Sequence, residues 1–76
     1  MTYEEICESR ERVITITDPD DIRQLIDKFA AAAPDWRWPP LEDIEAIRVV
    51  KDGDVREYLW TRKDRRTGMW CISGRD

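Results

Sequence analysis

The chain of 76 residues contains no histidine, and this absence narrows the chemistry open to it. Without an imidazole there is no Ser-His-Asp or Cys-His pair, no histidine-ligated zinc and no imidazole general base. Glycine is scarce as well, and Gly53, Gly68 and Gly74 are scattered in a way that is typical of turn residues. A Walker loop or a dinucleotide fingerprint is therefore excluded. These absences predict a protein that is not an enzyme and that uses no cofactor and no metal ion.

The chain has only two cysteines, Cys7 and Cys71, which lie near its opposite ends. A bond between them would close nearly the whole sequence into a loop, which in the chain-entropy model stabilises a domain by about 4 kcal/mol. In a reducing compartment both thiols would instead behave as small buried hydrophobes. The sequence leaves these two alternatives open.

Long apolar runs are also missing. No run approaches the ~20 apolar residues of a membrane-spanning helix, and the acidic N-terminal segment does not have the apolar stretch of a signal peptide. We therefore expect a cytoplasmic location and no contact with a membrane. The length predicts a single globular domain over residues 1–76, because a chain of this size has no room for a second core.

Two helix starts can be located from their capping residues. Thr2 followed by Glu5 has the form of a capping box, which predicts a short helix over 3–10. The β-branched run that follows predicts a strand over 12–17. Asp18 as N-cap and Pro19 at the first helical position predict the main helix, over 19–33. This helix has an apolar stripe at spacings of three and four: Ile22, Leu25, Ile26, Phe29, Ala30 and Ala33.

The second half of the chain has a β pattern. Asp52-Gly53 is a strong signal for a two-residue hairpin loop, which places Val50 opposite Val55 and Arg48 opposite Glu57. In that register both faces of the hairpin are largely apolar. One face carries Ile44, Ala46, Val50, Val55 and Leu59, and the other carries Ile47, Val49, Tyr58 and Trp60. Either the short helix and the tryptophan-containing segment 34–40 cover the second face, or an aromatic surface stays open.

A final strand is predicted over 69–72, and the spacing of Leu41, Ile44 and Ile47 also allows a helical turn before the hairpin. The element order is therefore α-β-α-β-β-β. This order predicts a small α+β domain in which the main helix packs on a four-stranded, mostly antiparallel sheet.

Charge is distributed unevenly along the chain. The whole sequence has 17 acidic and 13 basic residues, for a net charge of −4. Residues 1–45 hold 12 acids and 5 bases, whereas residues 46–76 hold 5 acids and 8 bases. If the helices and the β meander lie on different sides of the domain, the molecule has an acidic side and a mildly basic side.

These features predict a non-enzymatic module that binds another protein, as a small stoichiometric inhibitor. Its carboxylates would face a basic groove of a nucleic-acid-handling partner, and a tryptophan would supply the apolar centre of the contact. Small size, acidity and the lack of catalytic residues resemble, in type only, phage anti-CRISPR proteins and toxin-immunity proteins. The residues predicted to bind the partner are Asp18, Asp20, Asp21, Trp36, Trp38, Glu42, Asp43 and Glu45.

The alternative hypothesis is direct binding of nucleic acid through the C-terminal meander. Aromatic rings would stack on bases and neighbouring cations would hold phosphates, although the net charge of −4 opposes this. The residues of this alternative site are Tyr58, Trp60, Arg62, Lys63, Arg65 and Arg66. A further hypothesis is a homodimer formed through an open sheet face or an uncovered edge strand.

Overall fold

The helix starts form as their capping residues predict. In the computed structural model, which describes residues 1–73, the Thr2 side chain and Glu5 form both halves of the capping box, and the Asp18 side chain caps the main helix. In chain order the elements are α1 (Tyr3–Glu8), β1 (Val13–Ile16), α2 (Pro19–Ala32), a 3-10 turn (Leu41–Asp43), β2 (Ile44–Asp52), β3 (Val55–Arg62) and β4 (Thr67–Ile72).

The four strands form one antiparallel sheet in the order β1-β2-β3-β4. The predicted α+β architecture and element order are therefore confirmed. Within residues 1–73, neither helix has the length and apolarity needed to span a membrane.

Both helices pack on the same face of the sheet, where the hydrophobic core lies. Tyr58 on β3 contacts Tyr3 of α1 and Phe29 of α2, so one sheet residue lies beneath both helices. The four large residues of the predicted apolar stripe, Ile22, Leu25, Ile26 and Phe29, are buried, whereas Ala30 and Ala33 are half-buried. The core consists of Ile6, Ile14, Ile16, Ile22, Leu25, Ile26, Phe29, Ile44, Ile47, Val49, Tyr58 and Trp60.

The two-residue loop of the β2–β3 hairpin lies one residue further along the chain than predicted. Asp52 pairs with Val55, so the loop residues are Gly53 and Asp54 rather than Asp52 and Gly53. Gly53 has φ of +60° and Asp54 does not have a positive φ, which is the pattern of a type II′ turn. Val50 consequently lies opposite Glu57, and Arg48 lies opposite Leu59.

A β-bulge corrects the predicted face of Ile44. The register between β2 and β3 shifts between Ile44 and Ala46, which adds one residue to β2 and reverses the alternation beyond it. Ile44 therefore lies in the core, with only 5% of its surface exposed, while Ala46 stays on the opposite face as predicted.

The predicted ambiguity about the second face of the sheet is resolved by this arrangement. The aromatic side chains of the strands, Tyr58, Trp60 and Trp70, lie on the helix side. The opposite face is uncovered but contains no aromatic ring among the described residues. We call this surface the open sheet face; by strand alternation it consists of Val13, Thr15, Ala46, Arg48, Val50, Asp52, Val55, Glu57, Leu59, Thr61, Thr67, Met69 and Cys71.

Candidate protein-binding surface

The helices α1 and α2 and the 3-10 turn carry half of the acidic residues of the described chain. Together these three elements contain eight carboxylates and two cations. We call this surface the acidic helix layer. Its carboxylates belong to Glu4, Glu5, Glu8, Asp20, Asp21, Asp27, Glu42 and Asp43, and its cations are Arg23 and Lys28.

The N-terminus of α2 contributes three of the predicted partner-binding carboxylates, and two of them have internal contacts. Asp18 Oδ1 accepts hydrogen bonds from the backbone N–H groups of Asp20 and Asp21, at 2.8 and 3.4 Å. The Asp21 carboxylate lies 2.5 Å from the N-terminal ammonium group of Met1. Asp20 is exposed and makes no ion pair within residues 1–73. Asp20 is therefore the carboxylate of this group that can contact a partner without loss of an internal contact.

The second group of predicted carboxylates lies at the same end of the molecule. A groove of about 440 Å³ separates the start of α2 from the start of β2, and Pro19, Glu42 and Glu45 line it. Two cations, Arg23 and Lys63, also lie along this groove. The fold therefore brings the residues around Asp20 close to Glu42 and Glu45, as the acidic-surface hypothesis requires.

Asp43 has a structural role in this region. Its carboxylate forms an ion pair with Arg62 at 3.2 Å, and its backbone carbonyl accepts a hydrogen bond from the Lys63 N–H at 2.7 Å. These contacts connect the 3-10 turn to the turn between β3 and β4. Asp43 was predicted to bind a partner, but the structure uses it to hold two connections together.

A third part of the acidic helix layer lies between the two helices. Glu4 of α1 forms an ion pair with Lys28 of α2 at 3.1 Å, and Glu4 and Asp27 line a shallow groove there. The backbone N–H of Glu4, and then Lys28, hold the pKa of the Glu4 carboxyl below its ordinary value. Because the folded-state pKa is lowered, this contribution to stability is present above the unfolded-state pKa and is lost as the pH falls through the folded-state value.

The two tryptophans predicted to contact a partner have different positions. Trp36 is 57% exposed. Trp38 is half-buried, its ring lies 5.5 Å from that of Phe29 and 5.3 Å from that of Trp70, and its indole N–H donates to the Ala33 carbonyl. Trp38 therefore packs against the core, and only part of its surface is open to a partner.

Trp36 is also remote from the acidic end of α2. It follows the C-terminus of this helix, whose 14 residues span about 20 Å at 1.5 Å per residue. The predicted site is consequently divided. The carboxylates around Asp20, Glu42 and Glu45 lie together at one end, and the exposed tryptophan lies toward the other.

The alternative nucleic-acid site is not assembled by the fold. Tyr58 is fully buried and Trp60 is 6% exposed, so neither ring has a face available to a base. Arg62 is half-buried beside Asp43. The remaining predicted cations, Lys63, Arg65 and Arg66, are exposed in the turn between β3 and β4, apart from any exposed ring of the meander.

Two basic residues of the meander point inward, an orientation that was not predicted from the sequence. Lys51 and Arg56 are paired across the hairpin on the helix side of the sheet. Lys51 Nζ donates to the carbonyls of Ile6, Cys7 and Ser9 at the end of α1. Arg56 donates to Cys7 Sγ, and its guanidinium group lies 5.5 Å from the centre of the Tyr3 ring.

Two features of the sequence could have predicted this orientation. Lys51 and Arg56 occupy core-facing positions in the alternation of the hairpin, and the last turn of α1 has no basic residue of its own. Their inward orientation reduces the basic character of the meander. The predicted basic side is therefore limited to the β3–β4 turn, because Arg48 is the sole cation of the open sheet face.

Within residues 1–73, no group of three or more cysteine and carboxylate side chains is arranged to hold a metal ion. Comparison of the chain with protein-family models, with curated proteins and with solved structures found no match.

Proposed function

We propose that this protein is a non-enzymatic module that binds a basic, nucleic-acid-handling protein through its acidic helix layer and the adjacent Glu45, and acts as a stoichiometric inhibitor. The observation that carries the proposal is the concentration of eight carboxylates, against two cations, on the helices and the 3-10 turn. One of those cations, Lys28, is already paired with Glu4. This side of the molecule therefore presents a strongly negative field to a partner.

The geometry at the start of α2 supports a contact centred on Asp20, Glu42 and Glu45. All three carboxylates are exposed, and the latter two border the same groove as Pro19. A basic groove of the partner, which holds phosphates in its own function, would receive these carboxylates in place of nucleic acid. Inhibition then follows by competition, because sites for phosphate select ligands largely by charge and spacing.

Charge reversal tests this proposal. We expect the triple variant Asp20→Lys, Glu42→Lys, Glu45→Lys to lose capture of the partner from an extract of cells that express the protein. The matched control is Asp35→Lys, Asp52→Lys, Asp54→Lys, which changes the net charge equally at exposed acids outside the acidic helix layer. We expect this control to capture the same basic protein as the wild type, with an affinity that falls steeply between about 50 and 500 mM salt.

Thermal unfolding of both variants provides the folding control, since none of the six carboxylates makes an internal ion pair in the described structure. Equal capture by the wild type and both variants would contradict the proposal. Loss of capture in both variants would also contradict it, because the contact would then depend on total charge rather than on this surface.

A direct titration separates the proposal from nucleic-acid binding. Labelled single-stranded and duplex oligonucleotides are titrated with the protein at about 20 mM salt, where electrostatic affinity is greatest. We expect no detectable complex, because the net charge is −4 and the rings of Tyr58 and Trp60 are buried. A complex whose affinity falls when Lys63, Arg65 and Arg66 are replaced by alanine would favour the alternative function.

A further inference from the structure

We propose that the open sheet face is the interface of a homodimer, in which Arg48 of each copy pairs with Glu57 of the other. This inference does not depend on the proposed function, because the acidic helix layer lies on the opposite side of the sheet and stays exposed in such a dimer. It rests on the composition of the face, on the positions of its two central charges, and on its area.

The composition of the open sheet face is unlike that of the rest of the chain. Seven of its thirteen side chains are apolar and three are charged, whereas 39% of the whole chain is charged. One of the three charges, Asp52, lies at the hairpin end of the face. Two of the apolar side chains, Val13 and Met69, are 53% and 55% exposed, although hydrophobic side chains of this size elsewhere are mostly buried. A partly apolar surface with few charges is typical of an interface core.

The apolar side chains form a continuous diagonal stripe across all four strands. Val13 on β1 is opposite Val50 on β2, and Leu59 on β3 is opposite Met69 on β4. Val50 pairs with Glu57, and Leu59 pairs with Arg48 in the next row of cross-strand pairs. Val50 and Leu59 are therefore diagonal neighbours on adjacent strands. The stripe therefore runs from Val13 through Val50 and Leu59 to Met69.

Arg48 and Glu57 flank this stripe, one on each side. In the two rows that contain Val50 and Leu59, they occupy the other two diagonal corners. Their Cα atoms are about 8 Å apart when strands are spaced by 4.8 Å and the rise is about 3.3 Å per residue. Neither side chain forms an ion pair within the described chain. Opposite charges at equal distances from an apolar stripe are self-complementary.

A two-fold axis that is parallel to the sheet and passes over Val50 and Leu59, at the centre of the stripe, uses this self-complementarity. Rotation about that axis brings Val50 and Leu59 of each copy near their own counterparts, as an isologous interface requires. The same rotation places Arg48 of one copy over Glu57 of the other, and does so twice. With the strand spacing and residue rise given above, the strands of the two sheets cross at roughly 70°, which approaches the orthogonal class of sheet packing.

The area of the face sets the expected strength of the dimer. Thirteen side-chain positions, each covering about 4.8 Å by 6.7 Å, give about 420 Å² per copy in projection, or about 840 Å² for the pair. This value is in the range of weak, transient protein interfaces, which bury less than about 1,200 Å². We therefore expect a dimer with a dissociation constant in the micromolar range, visible in solution at higher protein concentration.

Reciprocal charge reversal tests the proposed pairing. We expect Arg48→Glu alone and Glu57→Arg alone each to weaken dimerisation by at least about tenfold, because each substitution places like charges across the interface. The first variant carries an acid at both positions and the second carries a base at both. An equimolar mixture of the two variants should therefore form a heterodimer, although each variant alone is largely monomeric.

The measurement is sedimentation equilibrium with reductant present, from about 10 µM to 1 mM protein. Lys63→Glu, an exposed charge reversal in the β3–β4 turn, is the matched control and should dimerise as the wild type does. A wild type that is monomeric over this range would overturn the proposal. A dimer that both single variants retain would also overturn it, because association would then be assigned to an edge strand, β1 or β4. Variants that fail to associate when mixed, although each is folded by circular dichroism, would overturn it as well.

Discussion

At the scale of single residues, Gly68 shows how one small side chain allows the core to form. It lies within β4 directly opposite Trp60, and a Cβ atom at this position would lie only 2.3 Å from the indole nitrogen of that tryptophan. The scattered glycines of the sequence predicted a turn residue here, which is wrong. A glycine inside a strand marks a place where another group approaches the backbone closely, and here the group is the buried indole ring of Trp60.

We predict that Gly68→Ala lowers the free energy of unfolding by about 1–3 kcal/mol, the usual cost of added volume in a packed interior. Alanine would otherwise favour a strand over glycine, so the sign of the effect depends on the clash with Trp60. Urea titration followed by tryptophan fluorescence measures the change. Gly53→Asn is the control, since Gly53 has open space around it and asparagine tolerates its φ of +60°. Unchanged or increased stability of Gly68→Ala would show that the indole has room to move.

At the scale of elements, local signals specified the helices better than the hairpin. Asp18 and Pro19 determine where α2 begins because capping involves only neighbouring residues. Asp-Gly, by contrast, suits more than one two-residue turn, and both candidate registers keep the same residues on the same face. The choice of Gly53 and Asp54 as the loop therefore depends on the whole ladder. The bulge that buries Ile44 likewise had no local signal.

The contact between Lys51 and the end of α1 provides a prediction at this scale. Lys51→Met keeps the apolar stem but removes the hydrogen bonds to the carbonyls of Ile6, Cys7 and Ser9. We expect a loss of about 1–3 kcal/mol in the free energy of unfolding, because these helix-end carbonyls lose a charged donor.

Urea titration measures this loss. The substitution should also accelerate hydrogen exchange at the backbone amides of α1 more than at those of α2. Lys63→Met, at an exposed turn position, is the control and should leave both measurements nearly unchanged. Unaltered exchange in α1 of the Lys51→Met variant would mean that water satisfies the same carbonyls at no cost.

At the scale of the whole molecule, the decisive feature is that α1 and α2 share one face of the sheet. Tyr58, Phe29 and Trp70 form an aromatic cluster on that side, and Tyr3 of α1 and Trp38 of the segment after α2 also contact it. The opposite face is left uncovered, and the rings expected for nucleic-acid binding are buried. A pattern of alternating apolar residues on both sides of a hairpin does not specify which side the helices cover.

The two cysteines provide the prediction at this scale. Cys7 lies on α1, on the helix side of the sheet, whereas Cys71 is exposed on the open sheet face, and the two are not bonded to each other. We expect two thiols per chain by titration under denaturing conditions without reductant. In the native protein Cys71 should be alkylated faster than the half-buried Cys7, as peptide mass spectrometry would measure. A single intramolecular disulfide in freshly purified, air-exposed protein would contradict this arrangement.

The sequence by itself determined the α+β class, the element order, the caps of both helices and the buried stripe of α2, because each of these depends on residues that are close in the chain. Only the tertiary structure decided the hairpin register, the burial of Ile44, the packing of Trp38 against the core, the inward orientation of Lys51 and Arg56, and the identity of the uncovered face. These features depend on competition between distant segments for the same sheet surface. That competition is settled by packing rather than by local propensity.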